Sequence, residues 1–171
     1  MHPPADIAEL IRDAERITVL SGAGMSAESG VPTFRDAQSG LWERFDPEQL
    51  VTPEAFAEDP GLVWAWYLWR VRLVRSVEPN AGHRALAELA RRRDVRIVTQ
   101  NVDDLHERAG SSVLAHVHGS LTEFRCAICA EPQPIPKIPC DIPLRLQPPR
   151  CAECGGAVRP GVVWFGELLP D

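Results

Sequence analysis

The sequence predicts an α/β fold, a parallel sheet with covering helices, interrupted late by a small cysteine-held insertion. Three observations carry this expectation. Short β-branched runs alternate with helical stretches as far as Val117, and the first run ends in a glycine turn. Two Cys-x-x-Cys pairs then bracket a proline-rich stretch.

In chain order, residues 5–15 place Ile7, Leu10, Ile11 and Ala14 near helical spacing, with Asp6 as a candidate cap. Arg16 to Leu20 reads as a strand that runs directly into Ser21-Gly22-Ala23-Gly24. Residues 60–77, rich in tryptophan and valine, read as a buried or cleft-lining helix, and Ala81 to Arg92 as another. Val95 to Thr99 is a second strand, delivering Gln100-Asn101-Val102-Asp103 at its carboxyl end. Val113 to Val117 is a third, delivering His118-Gly119. His116 lies two residues before His118, so on a strand both would point to one face. From Glu131 to Arg150 there are seven prolines in twenty residues, which excludes helix and central strand because each proline removes a donor.

Composition limits the classes of function. The 171 residues are 44% hydrophobic and 25% charged, which fits one folded domain plus a small module and excludes a disordered tail or a coiled coil. The net charge of -6 argues against a nucleic-acid partner, and Arg91-Arg92-Arg93 reads as the solvated end of a helix. No apolar run approaches the ~20 residues of a membrane span, and the N-terminus lacks a secretory pattern. A cytoplasmic location is expected.

Five cysteines leave one over for a disulfide scaffold. Cys126-x-x-Cys129 and Cys151-x-x-Cys154 are separated by twenty-one residues, near the upper end of common zinc-ribbon spacing. Two such turns supply four thiolates for one tetrahedral Zn²⁺ at ~2.3 Å, a closed structural site. A redox disulfide is the competing reading, and Cys140 is a bystander. The Gly22-Ala23-Gly24 turn lets backbone approach a pyrophosphate, although Ala27 stands where the dinucleotide fingerprint has its third glycine. A plain strand-to-helix turn is the alternative there.

Gly22-Ala23-Gly24-Met25-Ser26 through Gly30-Val31-Pro32-Thr33-Phe34-Arg35-Asp36 resembles the NAD-binding signature of the sirtuins, the NAD-dependent protein deacylases. Thr99-Gln100-Asn101-Val102-Asp103 with Leu105-His106, then His118-Gly119-Ser120, then Arg159 to Glu167 are similar to the later signatures, in the family's order. The cysteine pairs fall between the third and fourth. The resemblance implies a doubly wound, Rossmann-like sheet with an inserted zinc ribbon, and NAD as a consumed co-substrate. It implies cofactor contacts from Gly22, Ala23, Gly24, Ser26, Pro32, Thr33, Phe34, Arg35, Gln100, Asn101 and Asp103. His118 matches the family's base, which helps a ribose hydroxyl move the acyl group from lysine to ADP-ribose. His106 orders its loop, and His116 replaces a residue that is commonly acidic in the family.

Tyr67-x-x-Arg70 shares one helix face and resembles the pair marking the desuccinylase branch, in which guanidinium and phenol hold a distal carboxylate. From composition alone both are ordinary helix residues. Val162 and Phe165 match the groove where an extended acylated-lysine peptide adds its backbone like a strand; a buried hydrophobic strand is the alternative. The expected organisation is residues 1–120 as NAD-binding part, 121–158 as zinc module and 159–171 returning to the NAD-binding part. Family members continue for roughly half as many residues again, carrying the other half of the sheet, so the chain is expected to be a fragment of a longer frame, monomeric when complete. Removal of succinyl or malonyl groups, with acetyl a weaker substrate, is the expected activity. Simple deacetylation, ADP-ribosyl transfer and an inactive zinc-stabilised binding module are the alternatives.

Overall fold

A computed structural model describes residues 5–33 and 42–170. Strands β1 (Arg16–Ser21), β2 (Asp94–Thr99) and β3 (Val113–His116) form a parallel sheet in the order β1-β2-β3. Ser21 lies opposite Thr99, and Thr99 opposite His116, so the three carboxyl ends finish along one rim. That rim is where open α/β sheets place their ligands.

The helices are α1 (Ala5–Asp13), α2 (Gly24–Ala27), α3 (Pro47–Leu50), α4 (Pro53–Glu58), α5 (Pro60–Ser76), α6 (Ala81–Ala90) and α7 (Leu105–Arg108). Helix α1 begins at Ala5, so Asp6 falls inside it rather than at its cap. Helices α3, α4 and α5 share one starting device. Asp46, Thr52 and Asp59 each accept a backbone N–H, and each is followed by proline, whose missing donor is no loss at a first helical position. The long α5 is apolar almost all round because it is enclosed. Trp64, Trp66 and Leu68 are fully buried on it, each worth roughly 2–3 kcal/mol of transfer free energy. Trp64 meets Phe124 edge-on at 5.6 Å, which ties the helix to a second sheet.

That second sheet is antiparallel, β5 (Pro132–Gln133), β4 (Gly119–Cys126) and β6 (Val158–Val162), in the order β5-β4-β6. Pro132 is tolerated because β5 is a two-residue edge. The rest of the proline-rich stretch is irregular apart from one bridge between Arg150 and Ala157. Strands β4 and β6 run across the expected boundaries at residues 121 and 159. Gly119, at φ +73, is where the two sheets join; a Cβ there would lie 2.0 Å from the Gly161 carbonyl oxygen. Among the described residues no helix is long and apolar enough to cross a membrane.

Candidate functional site

A cleft of about 380 Å³ opens at the carboxyl rim of the parallel sheet. Its walls gather side chains from well-separated parts of the chain. Ala23, Ser26, Pro32 and Thr33 come from the first glycine turn, Gln100, Asn101 and Asp103 from the end of β2, and His118 from beyond β3. Tyr67 and Arg70 reach it from α5, and Val162 and Phe165 from the last segment. Gly22 and Gly24 shape the turn without lining the cleft. Phe34 and Arg35 lie outside the described residues.

Hydrogen bonds hold the rim rigid. Ser26 Oγ accepts from Asn101 Nδ2 at 3.0 Å, joining the glycine turn to the end of β2. The Asn101 N–H donates to Thr99 Oγ1 at 3.0 Å, and Ser21 Oγ donates to the same oxygen at 2.8 Å. Because the Ser21 proton is used there, His106 Nε2–H is the donor in its 2.9 Å contact with Ser21 Oγ. His106 is therefore a neutral buried brace, and desolvation holds its pKa below the ordinary range. Its ring stacks edge-on against buried His83 at 4.8 Å. Helix α6 is fastened to the glycine turn by Asn80, whose amide donates to the Met25 carbonyl and to Ser29 Oγ.

His118 Nδ1 lies 3.1 Å from the Gln100 carbonyl oxygen. A carbonyl only accepts, so Nδ1 carries the proton and Nε2 keeps a lone pair for chemistry. His116 behaves differently. Strand β3 ends at His116 and a turn follows, so the alternation that would put both histidines on one face is broken, and His116 lines a separate hollow. Its Nε2 lies 2.7 Å from Glu107 Oε1 and its Nδ1 2.8 Å from the Asn101 carbonyl. Both partners are acceptors, so the ring is doubly protonated, and the Glu107 bond raises its pKa.

Tyr67 and Arg70 do share a face of α5, and both are almost entirely buried. Burial keeps the phenol protonated by raising its pKa. Trp164 Nε1 donates to Tyr67 Oη at 2.9 Å. Trp164 belongs to the core, whereas Phe165 is 53% exposed, and both lie beyond the end of β6 at Val162. The segment after β6 is fixed by a network that no local sequence pattern signals. Arg159 donates twice to Glu167, at 2.5 and 2.9 Å, and Glu167 accepts the Trp164 N–H at 2.8 Å. Burial works against the Glu167 carboxylate, yet Arg159 holds its pKa below the usual value.

The four cysteine sulfurs of the two pairs lie within 4.8 Å of one another. The separations of 3.4 Å (Cys126–Cys154), 3.8 Å (Cys129–Cys151) and 3.4 Å (Cys129–Cys154) compare with about 3.8 Å for the edge of a tetrahedral Zn–S₄ site. The amides of Cys129 and Ile128 bring the Cys126 thiol down to about 6. The residue after each pair is left-handed, Ala130 at φ +59 and Gly155 at φ +74, so the two turns are alike. Gly156 is required beside them, since a Cβ would lie 2.7 Å from Cys126 Sγ. The four thiols are free and are positioned to bind one zinc ion, with backbone amides aimed at Cys126 and Cys129.

A nucleotide-type cleft on a parallel sheet, flanked by a four-cysteine ribbon, defines an α/β protein with a structural metal site. The chain matches the Sir2 family over residues 22–171, and it belongs to that family. It is 56% identical over 169 residues to NAD-dependent protein deacylase 1 of Pseudomonas aeruginosa, covering 96% of this chain and 68% of that one. It is 58% identical to an NAD-dependent protein deacylase of Mycolicibacterium paratuberculosis, covering 91% of this chain and 66% of that one. A solved Sir2 homologue–NAD complex superposes with a TM-score of 0.85 at 49% identity, covering 99% of this chain and 64% of that one. The chain thus spans about two thirds of the length of these relatives.

Proposed function

We propose that this chain carries the catalytic part of an NAD-dependent protein-lysine deacylase that removes succinyl and malonyl groups, and acetyl more weakly. The observation that carries the reading is the shared cleft: His118, with Nε2 available, lines the same space as the Tyr67–Arg70 pair. NAD would be held by the glycine turn and by Gln100, Asn101 and Asp103, and when bound it would supply a ribose carbon that takes the amide oxygen as nicotinamide leaves and a ribose hydroxyl that finally carries the acyl group. His118 Nε2 takes the proton from a ribose hydroxyl, and the Gln100 carbonyl stabilises the resulting imidazolium through Nδ1–H. Arg70 and Tyr67 pair with the distal carboxylate of the acyl chain. Strand β6 has β4 on one side and no described strand on the other, so an extended acyl-lysine peptide can add to it. Thiols arranged for metal accord with a reducing, cytoplasmic compartment.

Mass spectrometry of a succinyl-lysine peptide incubated with the zinc-loaded 171-residue chain, with and without NAD, tests this reading. NAD-dependent loss of succinyl with appearance of O-succinyl-ADP-ribose is the expected result. A gain of ADP-ribose on the peptide would assign transfer chemistry instead. No turnover by a soluble, zinc-loaded chain would reduce it to a binding module.

A further inference from the structure

We infer that Trp164 is a specificity-determining positioning residue: its indole N–H occupies a lone pair of the Tyr67 hydroxyl, so that the phenol turns its proton toward the cleft it lines with Arg70. The inference rests on the carboxylate reading of Tyr67 and Arg70 given above. An indole nitrogen can donate but never accept. In the 2.9 Å contact the Tyr67 oxygen must therefore be the acceptor, and its own proton points elsewhere. Among the described residues no side chain takes that proton, and Tyr67 lines the cleft together with Arg70. A phenol proton beside a guanidinium suits an anionic acceptor and offers nothing to a methyl group.

The indole is held in place for this task. The Arg159 guanidinium lies 3.3 Å over the Trp164 ring, Glu167 grips both that guanidinium and the Trp164 backbone N–H, and Phe56 packs at 5.1 Å. A cation over the ring withdraws electron density and strengthens the indole N–H as a donor. Without the indole bond, the phenol could rotate and offer its lone pair to the cleft, which would repel a carboxylate.

The test is equilibrium binding of succinyl-lysine and acetyl-lysine peptides of one sequence to the zinc-loaded chain. The parent is compared with Trp164→Phe, Tyr67→Phe and the double variant. Parent preference for succinyl is expected to fall about tenfold in Trp164→Phe, with no further fall when Tyr67→Phe is added. A purely structural role for Trp164 would weaken both peptides alike and add to the Tyr67 effect, which overturns the inference. Succinyl preference that survives Trp164→Phe but not Tyr67→Phe overturns it too, and leaves the carboxylate reading standing. No preference in the parent defeats both. If Trp164→Phe loses its zinc, benzothienylalanine at position 164, which replaces N–H by sulfur at constant shape, answers the same question.

Discussion

His116 and His118 stand two residues apart, yet the chain assigns them different protons. Each reaches a backbone carbonyl through Nδ1, but only His116 meets a carboxylate at Nε2. Its folded pKa is raised, so this pair contributes stability that is full below the unfolded value of 6.5 and lost as pH rises through the folded value. Glu107 is 41% exposed, so solvent screening limits the pair to about 0.5–1 kcal/mol. Urea denaturation should show His116→Gln losing that amount at pH 6 and close to none at pH 9. A second residue-scale expectation concerns Arg70. Replacing it by Met should lower desuccinylation at least tenfold more than deacetylation, because a bidentate carboxylate contact is lost; steady-state kinetics on paired peptides decide it, and equal losses would count against the carboxylate assignment. The chemical types at these positions are readable in the sequence. The Glu107–His116 and Trp164–Tyr67 contacts are not, since no local period relates residues 9 or 97 apart.

At the scale of elements, α6 and α7 meet through two buried imidazoles, and this junction is sensitive to acid. Desolvation lowers the pKa of His83 and of His106 below 6.5. The unfolded chain therefore binds more protons at mildly acidic pH, and stability present above 6.5 is lost as pH falls. Thermal melts should fall progressively from pH 7 to pH 5, and His83→Gln should flatten that dependence. The cysteine turns make a separate prediction. Ala130 occupies the left-handed region that Gly155 occupies without strain in the matching turn. Ala130→Gly should stabilise the zinc-loaded chain by about 0.5–1 kcal/mol, as measured by its melting temperature; a fall would mean that the Ala130 backbone is not strained. Most long elements were legible because their periodicity is strong. Helices α3 and α4 are too short for a period, and their local signals are Asp46-Pro47 and Thr52-Pro53. Strands β4 and β6 are hard to read locally for a different reason: their apolar residues follow no clean alternation, because both β4 faces contribute to packing.

For the whole molecule, the ribbon is the part most dependent on a bound ion. Its sheet has one two-residue strand, and its two turns bring their four sulfurs within 4.8 Å of one another. Removing the metal with a chelator should abolish protection of β4 and β6 amides in hydrogen exchange while β1 and β2 retain theirs, and a chelator-insensitive ribbon would refute a metal role. The sequence by itself determined the parallel α/β class, the glycine turn, the four metal-binding sulfurs and the chemical inventory of the cleft. These follow from local spacing and residue type, and need no knowledge of what lies opposite. The tertiary structure decided which of those residues share a space, which histidine faces the cleft, and how Arg159, Glu167 and Trp164 support Tyr67. Such matters depend on contacts between distant segments, and only the packed chain sets their distances and directions.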